Sequence, residues 1–204
     1  MKQSLRNSLL YLIMTNAIVL HGKPSRDQYF DSNFPDIDSY YWLPWLDEQL
    51  TKKGIPTVRP KVPNGWIADY DVWKNEFEKY PIDKDTILVG HSCGAGFLVK
   101  WLSTHPGVSV NKIILVAPWI DPRREETTTF FDCEFDRNLV TRTQNGISII
   151  YSDDDVRNII ESVAALQEKI DNLSIKKLHG YKHFYDENSM TIPVVLNELP
   201  KDNS

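Results

Sequence analysis

Ser92 stands in Gly90-His91-Ser92-Cys93-Gly94, a G-x-S-x-G pentapeptide preceded by Ile87-Leu88-Val89 and followed, from Ala95, by residues that read as a helix. Between a strand and a helix, this spacing can hold a serine at the apex of a sharp turn, with its hydroxyl free to attack a carbonyl carbon. The glycines two places either side suit such a turn, because the strand and the helix pass close to one another. The amide of Cys93 would open the helix at its positive end, where an oxyanion could be held. A serine hydroxyl is a poor nucleophile near neutral pH. The chemistry therefore also needs a base within hydrogen-bond reach and an acid to orient that base.

In open α/β sheets such groups gather on loops at the carboxyl ends of strands. His183 lies five residues past Leu178, the end of a predicted strand, and is the candidate base, with His179 the alternative. His91 is expected to point away from the hydroxyl and pack, and His105 to complement the dipole at the end of its helix. Asp153, Asp154 and Asp155 follow the strand ending at Tyr151. Counting from Ser152, the fourth place is Asp155, the candidate acid; Asp154 is the alternative, and Asp153 suits a solvated or helix-capping role. A second oxyanion donor should come from the loop after the first strand, where Gly22 lets the backbone approach and Lys23 offers its amide. Trp119, just past a strand end, and Phe130 and Phe131 are candidates to line an acyl pocket. The Cys93 thiol is expected to pack, and the remaining tryptophans read as core.

The elements that must position these residues alternate. Ala17-Ile18-Val19-Leu20 is a continuous apolar run that suits a strand buried on both faces. Residues 23–39 read as a long polar loop and 40–53 as a helix stopped by Gly54. Pro56 and Pro60 push 55–62 toward a sheet edge. Helical spacing returns over 67–80, strands follow at 86–89 and 112–117, and the helix behind the serine covers 95–103. A charged, then threonine- and phenylalanine-bearing segment fills 121–145. A strand at 147–151, an amphipathic helix over 156–170, a strand at 174–178 and a helix over 191–199, with Pro193 in its first turn, complete the chain. Alternation of this kind predicts a three-layer α/β/α fold around a mainly parallel six-stranded sheet.

The chain's 204 residues and net charge of −5 fit one domain (15–204) and carry no footprint for nucleic acid or an anionic membrane. Two cysteines without C-x-x-C spacing argue against a disulfide framework and structural zinc, and point to a reducing cytoplasm. Residues 1–14 read as an N-terminal extension: Lys2, Arg6 and the run from Leu9 to Met14 imitate a signal peptide, but no small-x-small site follows. Met14 as the true start, or a surface segment over 1–13, fits better.

Taken together, His21-Gly22, Trp42-Leu43-Pro44-Trp45-Leu46, Pro63-Asn64 with Trp73, Gly90-His91-Ser92-Cys93-Gly94-Ala95, Ser152-Asp153-Asp154-Asp155 and His183-Phe184 resemble the small α/β-hydrolases of the retinoblastoma-binding protein nine family. The order Ser, Asp, His is also that of α/β-hydrolases. The resemblance implies an α/β-hydrolase fold with a minimal cap and a triad of Ser92, Asp155 and His183. It departs after the acid, where Val156-Arg157-Asn158 replaces an apolar pair and proline, and before the base, where Lys182 replaces glycine. The expected activity is hydrolysis of a small-molecule ester or related acyl substrate through an acyl-enzyme, carboxylesterase-like, with no metal or cofactor implied. Peptidase, aminopeptidase and acyl-transfer reactions are alternatives on the same triad. Because the family is also associated with protein binding, an interaction module with residual esterase activity is the competing class, and an intact triad argues against it.

Overall fold

The computed structural model describes residues 15–186 and 189–200. The extension expected over 1–14 lies outside the described residues. The six strands are β1 (Asn16–Leu20), β2 (Thr57–Val58), β3 (Thr86–His91), β4 (Lys112–Val116), β5 (Ile147–Ser152) and β6 (Ser174–Leu178). They form one sheet in the order β2-β1-β3-β4-β5-β6, and every neighbouring pair is parallel. The helices are α1 (Arg26–Phe30), α2 (Trp42–Lys52), α3 (Tyr70–Phe77), α4 (Cys93–Thr104), α5 (Arg157–Lys169) and α6 (Pro193–Asn197). Among the described residues, no helix is long and apolar enough to cross a membrane.

Alternation along the strands divides the core between the two faces. Ile18, Leu20, Leu88, Ile113, Leu115, Ile147 and Ile149 pack with Trp73 and Phe77 of α3, Phe97, Leu98 and Leu102 of α4, and Val163 and Leu166 of α5. Ala17, Val19, Ile87, Val89, Ile114, Val116 and Ile150 pack against Trp42, Leu43, Leu46 and Leu50 of α2 and Val195 of α6. β1, β3 and β4 therefore each carry a continuous apolar run, over 17–20, 87–89 and 113–116, because both of their faces are covered. β6 closes one edge with Lys176 and Lys177, charges that discourage further pairing. β2 closes the other beside Pro56 and Pro60, as their missing amides require.

Local chemistry sets several boundaries. Asp69 caps α3 by accepting from the amides of Asp71 and Val72, so the helix begins three residues later than its apolar period suggests. Residues 23–39 differ from the expected loop. Ser25 and Gln28 form a reciprocal capping box that starts α1, and Ile37–Ser39 make a turn of 3-10 helix. The S-x-x-Q signature for α1 is present in the sequence, but α1 buries no residue and so carries no apolar period. Between β4 and β5 the chain has one 3-10 turn, Leu139–Arg142, and no longer helix.

Candidate active site

The turn between β3 and α4 puts Ser92 at φ 52° and ψ −118°, a conformation that costs a residue with a Cβ about 1–3 kcal/mol. Surrounding contacts hold it there. The Ser92 amide donates to the Val116 carbonyl (2.9 Å), while its own carbonyl accepts from Gly96 and Trp119 (3.1 Å each). The motif's glycines have separate reasons. A Cβ on Gly90 would lie 2.7 Å from the backbone of Ala95, which is the expected crossing of strand and helix. A Cβ on Gly94 would lie 2.3 Å from the carbonyl oxygen of His21, so that glycine lets the end of β1 approach α4. Gly96 lies outside the pentapeptide and is the tightest of all, with a Cβ there falling 1.9 Å from the Trp119 carbonyl oxygen.

His183 reaches the serine from the loop after β6. Its Nε2 lies 2.9 Å from Ser92 Oγ, and its Nδ1 lies 3.0 and 3.1 Å from the two carboxylate oxygens of Asp155. The Asp155 side chain is fully buried, and its Oδ1 also accepts from the Val156 amide. Between Asp155 and Asp154, only Asp155 faces the imidazole. Asp154 instead accepts from the amides of Gly180 (3.1 Å) and Lys182 (3.2 Å) and from the Ser152 hydroxyl. The Ser152 hydroxyl, followed by those amides, holds the Asp154 carboxyl below its ordinary range. Asp154 thus ties the His183 loop to the end of β5.

Two further contacts fix that loop. Phe184 is fully buried, with φ 59°, and anchors the chain directly after the histidine. His91 donates from Nε2 to the His183 carbonyl (2.8 Å), with the ring of Trp42 edge-on at 5.8 Å. Burial pushes His91 down to about 3, so it remains neutral and able to make this bond. It points away from the hydroxyl as expected, but it links the Ser92 turn to the His183 loop. His179, the alternative base, bonds Asp153 at the surface (2.7 Å), and the exposed Lys182 ammonium pairs with Asp186 rather than the imidazole.

The amides of Cys93 and Lys23 donate no hydrogen bond among the described residues. Gly22 carries the Lys23 amide close, since a Cβ on Gly22 would lie 3.1 Å from Ser92 Cβ. Burial pushes the Cys93 thiol well above its ordinary range, which keeps it a packing group. His21 is also buried and held down to about 4, with Nδ1 on the Gly22 carbonyl and Nε2 accepting from the Val62 amide. Among the described residues, Asp153, Asp154 and His179 bring ligating atoms within 4.8 Å of one another, all exposed. Their hydrogen bonds to each other and to the loop already account for that grouping.

A model for the family described as "Serine hydrolase" matches residues 34–189. The chain belongs to the serine hydrolase family. Solved structures agree on the fold. The ydeN gene product from B. subtilis superposes with a TM-score of 0.73 at 21% identity, covering 90% of this chain and 96% of its own. A putative hydrolase from Agrobacterium vitis S4 gives 0.62 at 11%, covering 91% and 88%. Est1E from Butyrivibrio proteoclasticus gives 0.57 at 14%, covering 92% and 89%. The six-stranded parallel sheet with helices on both faces is thus an α/β-hydrolase fold.

In this serine hydrolase a cleft of about 280 Å³ opens over Ser92. It is lined by Gly22, Lys23, Pro24, Gln28, Phe34, Tyr40 and Tyr41 from 22–41, and by His91, Val156, His183 and Tyr185 from the other loops. A second depression, of about 310 Å³, shares Gln28, Phe34 and Tyr40 with it. The three expected pocket residues lie elsewhere. Phe130 is fully buried among Tyr70, Trp73 and Phe97, and Phe131 packs on Trp119 and lines a separate cavity with Cys133 and Phe135. Trp119 stands behind the cleft, its ring 5.7 Å from the Lys23 ammonium, which pairs with Glu126. The aromatic wall instead comes from Phe34 in the segment read as a polar loop, from Tyr40 and Tyr41 at the start of the segment read as a helix, and from Tyr185 after β6. The helix itself begins only at Trp42, which leaves the two tyrosines to the cleft.

Proposed function

We propose that this serine hydrolase cleaves small ester or related acyl substrates, carboxylesterase-like, with Ser92 as nucleophile, His183 as general base and acid, and Asp155 as the residue that orients the imidazole. One observation carries the reading: His183 spans 2.9 Å to Ser92 Oγ and 3.0 Å to a buried carboxylate. His183 Nε2 takes the serine proton as Oγ attacks the carbonyl carbon, and Asp155 stabilises the imidazolium through Nδ1–H. The Cys93 and Lys23 amides point the oxyanion role to the elbow and the β1 loop, as free donors at a helix start and beside Gly22. His183 then returns the proton to the leaving group, and water releases the acyl-enzyme by the same steps in reverse order. The chain's motifs also support placing it with the retinoblastoma-binding protein nine group inside the wider family.

The cleft's charge fits a neutral acyl group, since Lys23, its one cationic lining residue among those described, is paired with Glu126. Its volume holds roughly nine water-sized groups, enough for a small ester. Intact-mass labelling with a fluorophosphonate tests the reading. The native chain should take one adduct, and Ser92→Ala and His183→Ala should take none. A folded native chain that remains unlabelled would end the hydrolase reading.

A further inference from the structure

Ser92 is not the only residue of the cleft whose backbone is forced. Tyr41 has φ 45° and ψ −105°, beside φ 52° and ψ −118° at Ser92. Each residue immediately precedes a helix, α2 for Tyr41 and α4 for Ser92, and both line the same cleft. This region is sterically costly for any residue with a Cβ, and it persists only where the surroundings over-determine it. Glycine would enter it freely, yet the chain carries a tyrosine.

Both neighbours of Tyr41 are anchored. On one side α2 buries Trp42, Leu43, Leu46 and Leu50, and the Leu43 amide donates to the Tyr40 carbonyl (2.9 Å). On the other side the Tyr40 ring meets Phe34 edge-on at 5.2 Å. Tyr41 is left at the cleft wall, its ring 6.2 Å from that of Tyr185, which in turn lies 5.0 Å from the imidazole of His183. The next residue, Trp42, packs on His91, which bonds the His183 carbonyl. The packing that forces the Tyr41 backbone therefore also braces the base loop.

We infer that Tyr41 is a substrate-contacting residue of this hydrolase, held at the cleft wall by backbone strain at the expense of fold stability. The inference rests on Ser92 being the nucleophile. Its consequence is that stability and substrate binding oppose one another at position 41.

Tyr41→Ala and Tyr41→Gly separate the two effects, because both remove the ring and only one keeps a Cβ. At an ordinary position alanine is the more stable of the pair. At position 41, Tyr41→Gly should melt about 2–6 °C above Tyr41→Ala. With p-nitrophenyl butyrate as substrate, both variants should lose about tenfold in kcat/KM, mainly through KM. That loss should exceed any fall in the rate of labelling by diisopropyl fluorophosphate by at least about fivefold, since the nucleophile and base are unchanged. Tyr41→Ala melting at or above Tyr41→Gly would overturn the strain. A native KM in both variants would overturn the contact, and so would a labelling rate that falls in step with kcat/KM, which marks a support of the elbow. A native chain that diisopropyl fluorophosphate does not label defeats the hydrolase reading itself, and the contact with it.

Discussion

Two stretches leave the sheet on either side of the elbow strand: residues 22–41 after β1 and residues 117–146 after β4. Both carry aromatic residues within reach of the strand ends, yet the structure uses them in opposite ways. After β4 the chain is sewn into the core. The Trp119 amide donates to the Ser92 carbonyl, the Trp119 carbonyl sits against Gly96, and Phe130 completes a cluster with Trp73 and Phe97. After β1 the chain crosses the open end of the sheet, α1 buries nothing, and Phe34, Tyr40 and Tyr41 remain to wall the cleft. Aromatic residues near a catalytic strand therefore do not in themselves make a pocket. Those with a cavity to fill beneath them become core, and those without one become surface for a ligand.

The largest expected effect lies where the two stretches converge. Ser92→Ala should lower kcat on p-nitrophenyl butyrate by at least about 1,000-fold with KM little changed, which sets the floor for every comparison below.

Next come the stretches themselves. Phe130→Ala should cost about 3–5 kcal/mol in urea denaturation, because it empties a fully buried site, while the KM of the folded enzyme stays native. Phe34→Ala, at a partly exposed side chain of the cleft in 22–41, should change stability by no more than about 1 kcal/mol and raise KM severalfold. Matching KM shifts in the two variants would break the contrast.

Acid should separate the stretches further. His21 and His91 have an ordinary pKa of 6.5 when unfolded but about 4 and about 3 when folded. Between those values the unfolded chain binds protons that the folded chain refuses. The stabilisation is therefore complete above about pH 6.5 and is lost as pH falls, by up to about 1.4 kcal/mol per pH unit for each histidine. Melting temperatures from pH 7.5 down to 4.5 should trace that slope, and His21→Gln should reduce it by about half. Because His21 holds Gly22 and the Val62 amide, hydrogen exchange at acid pH should rise over 22–41 before 117–146.

The smallest effect expected is at Asp154. Asp154→Ala loosens the His183 loop and should reduce kcat/KM by about twofold, whereas Asp154→Asn retains an acceptor oxygen for the Gly180 and Lys182 amides and should lose less. Equal losses in the two variants would mean that charge, rather than the tether, is what matters there.

Much of this was legible in the residues alone, for reasons of short range. A serine between glycines at the end of a buried apolar run implies an elbow, because the requirement is local backbone geometry. The alternating runs from Ala17 to Leu178 imply a parallel sheet, because period and length are written along the chain. Even the order of Ser92, Asp155 and His183 follows from which residues sit just past strand ends. What stayed hidden was long-range. Asp154 and Asp155 are chemically identical neighbours, and only the return of residues 179–183 across the end of β5 gives one the amides and the other the imidazole. Gly96 looks like any helical glycine until the Trp119 carbonyl lies against it, and His91 looks like packing until its Nε2 meets the His183 carbonyl. Sequence by itself determined the elbow, the sheet and the places along the chain of the proposed reacting groups. The cleft wall, the carboxylate that faces the imidazole and the strain at Tyr41 were decided by tertiary structure, because each depends on which distant segment comes to rest beside it.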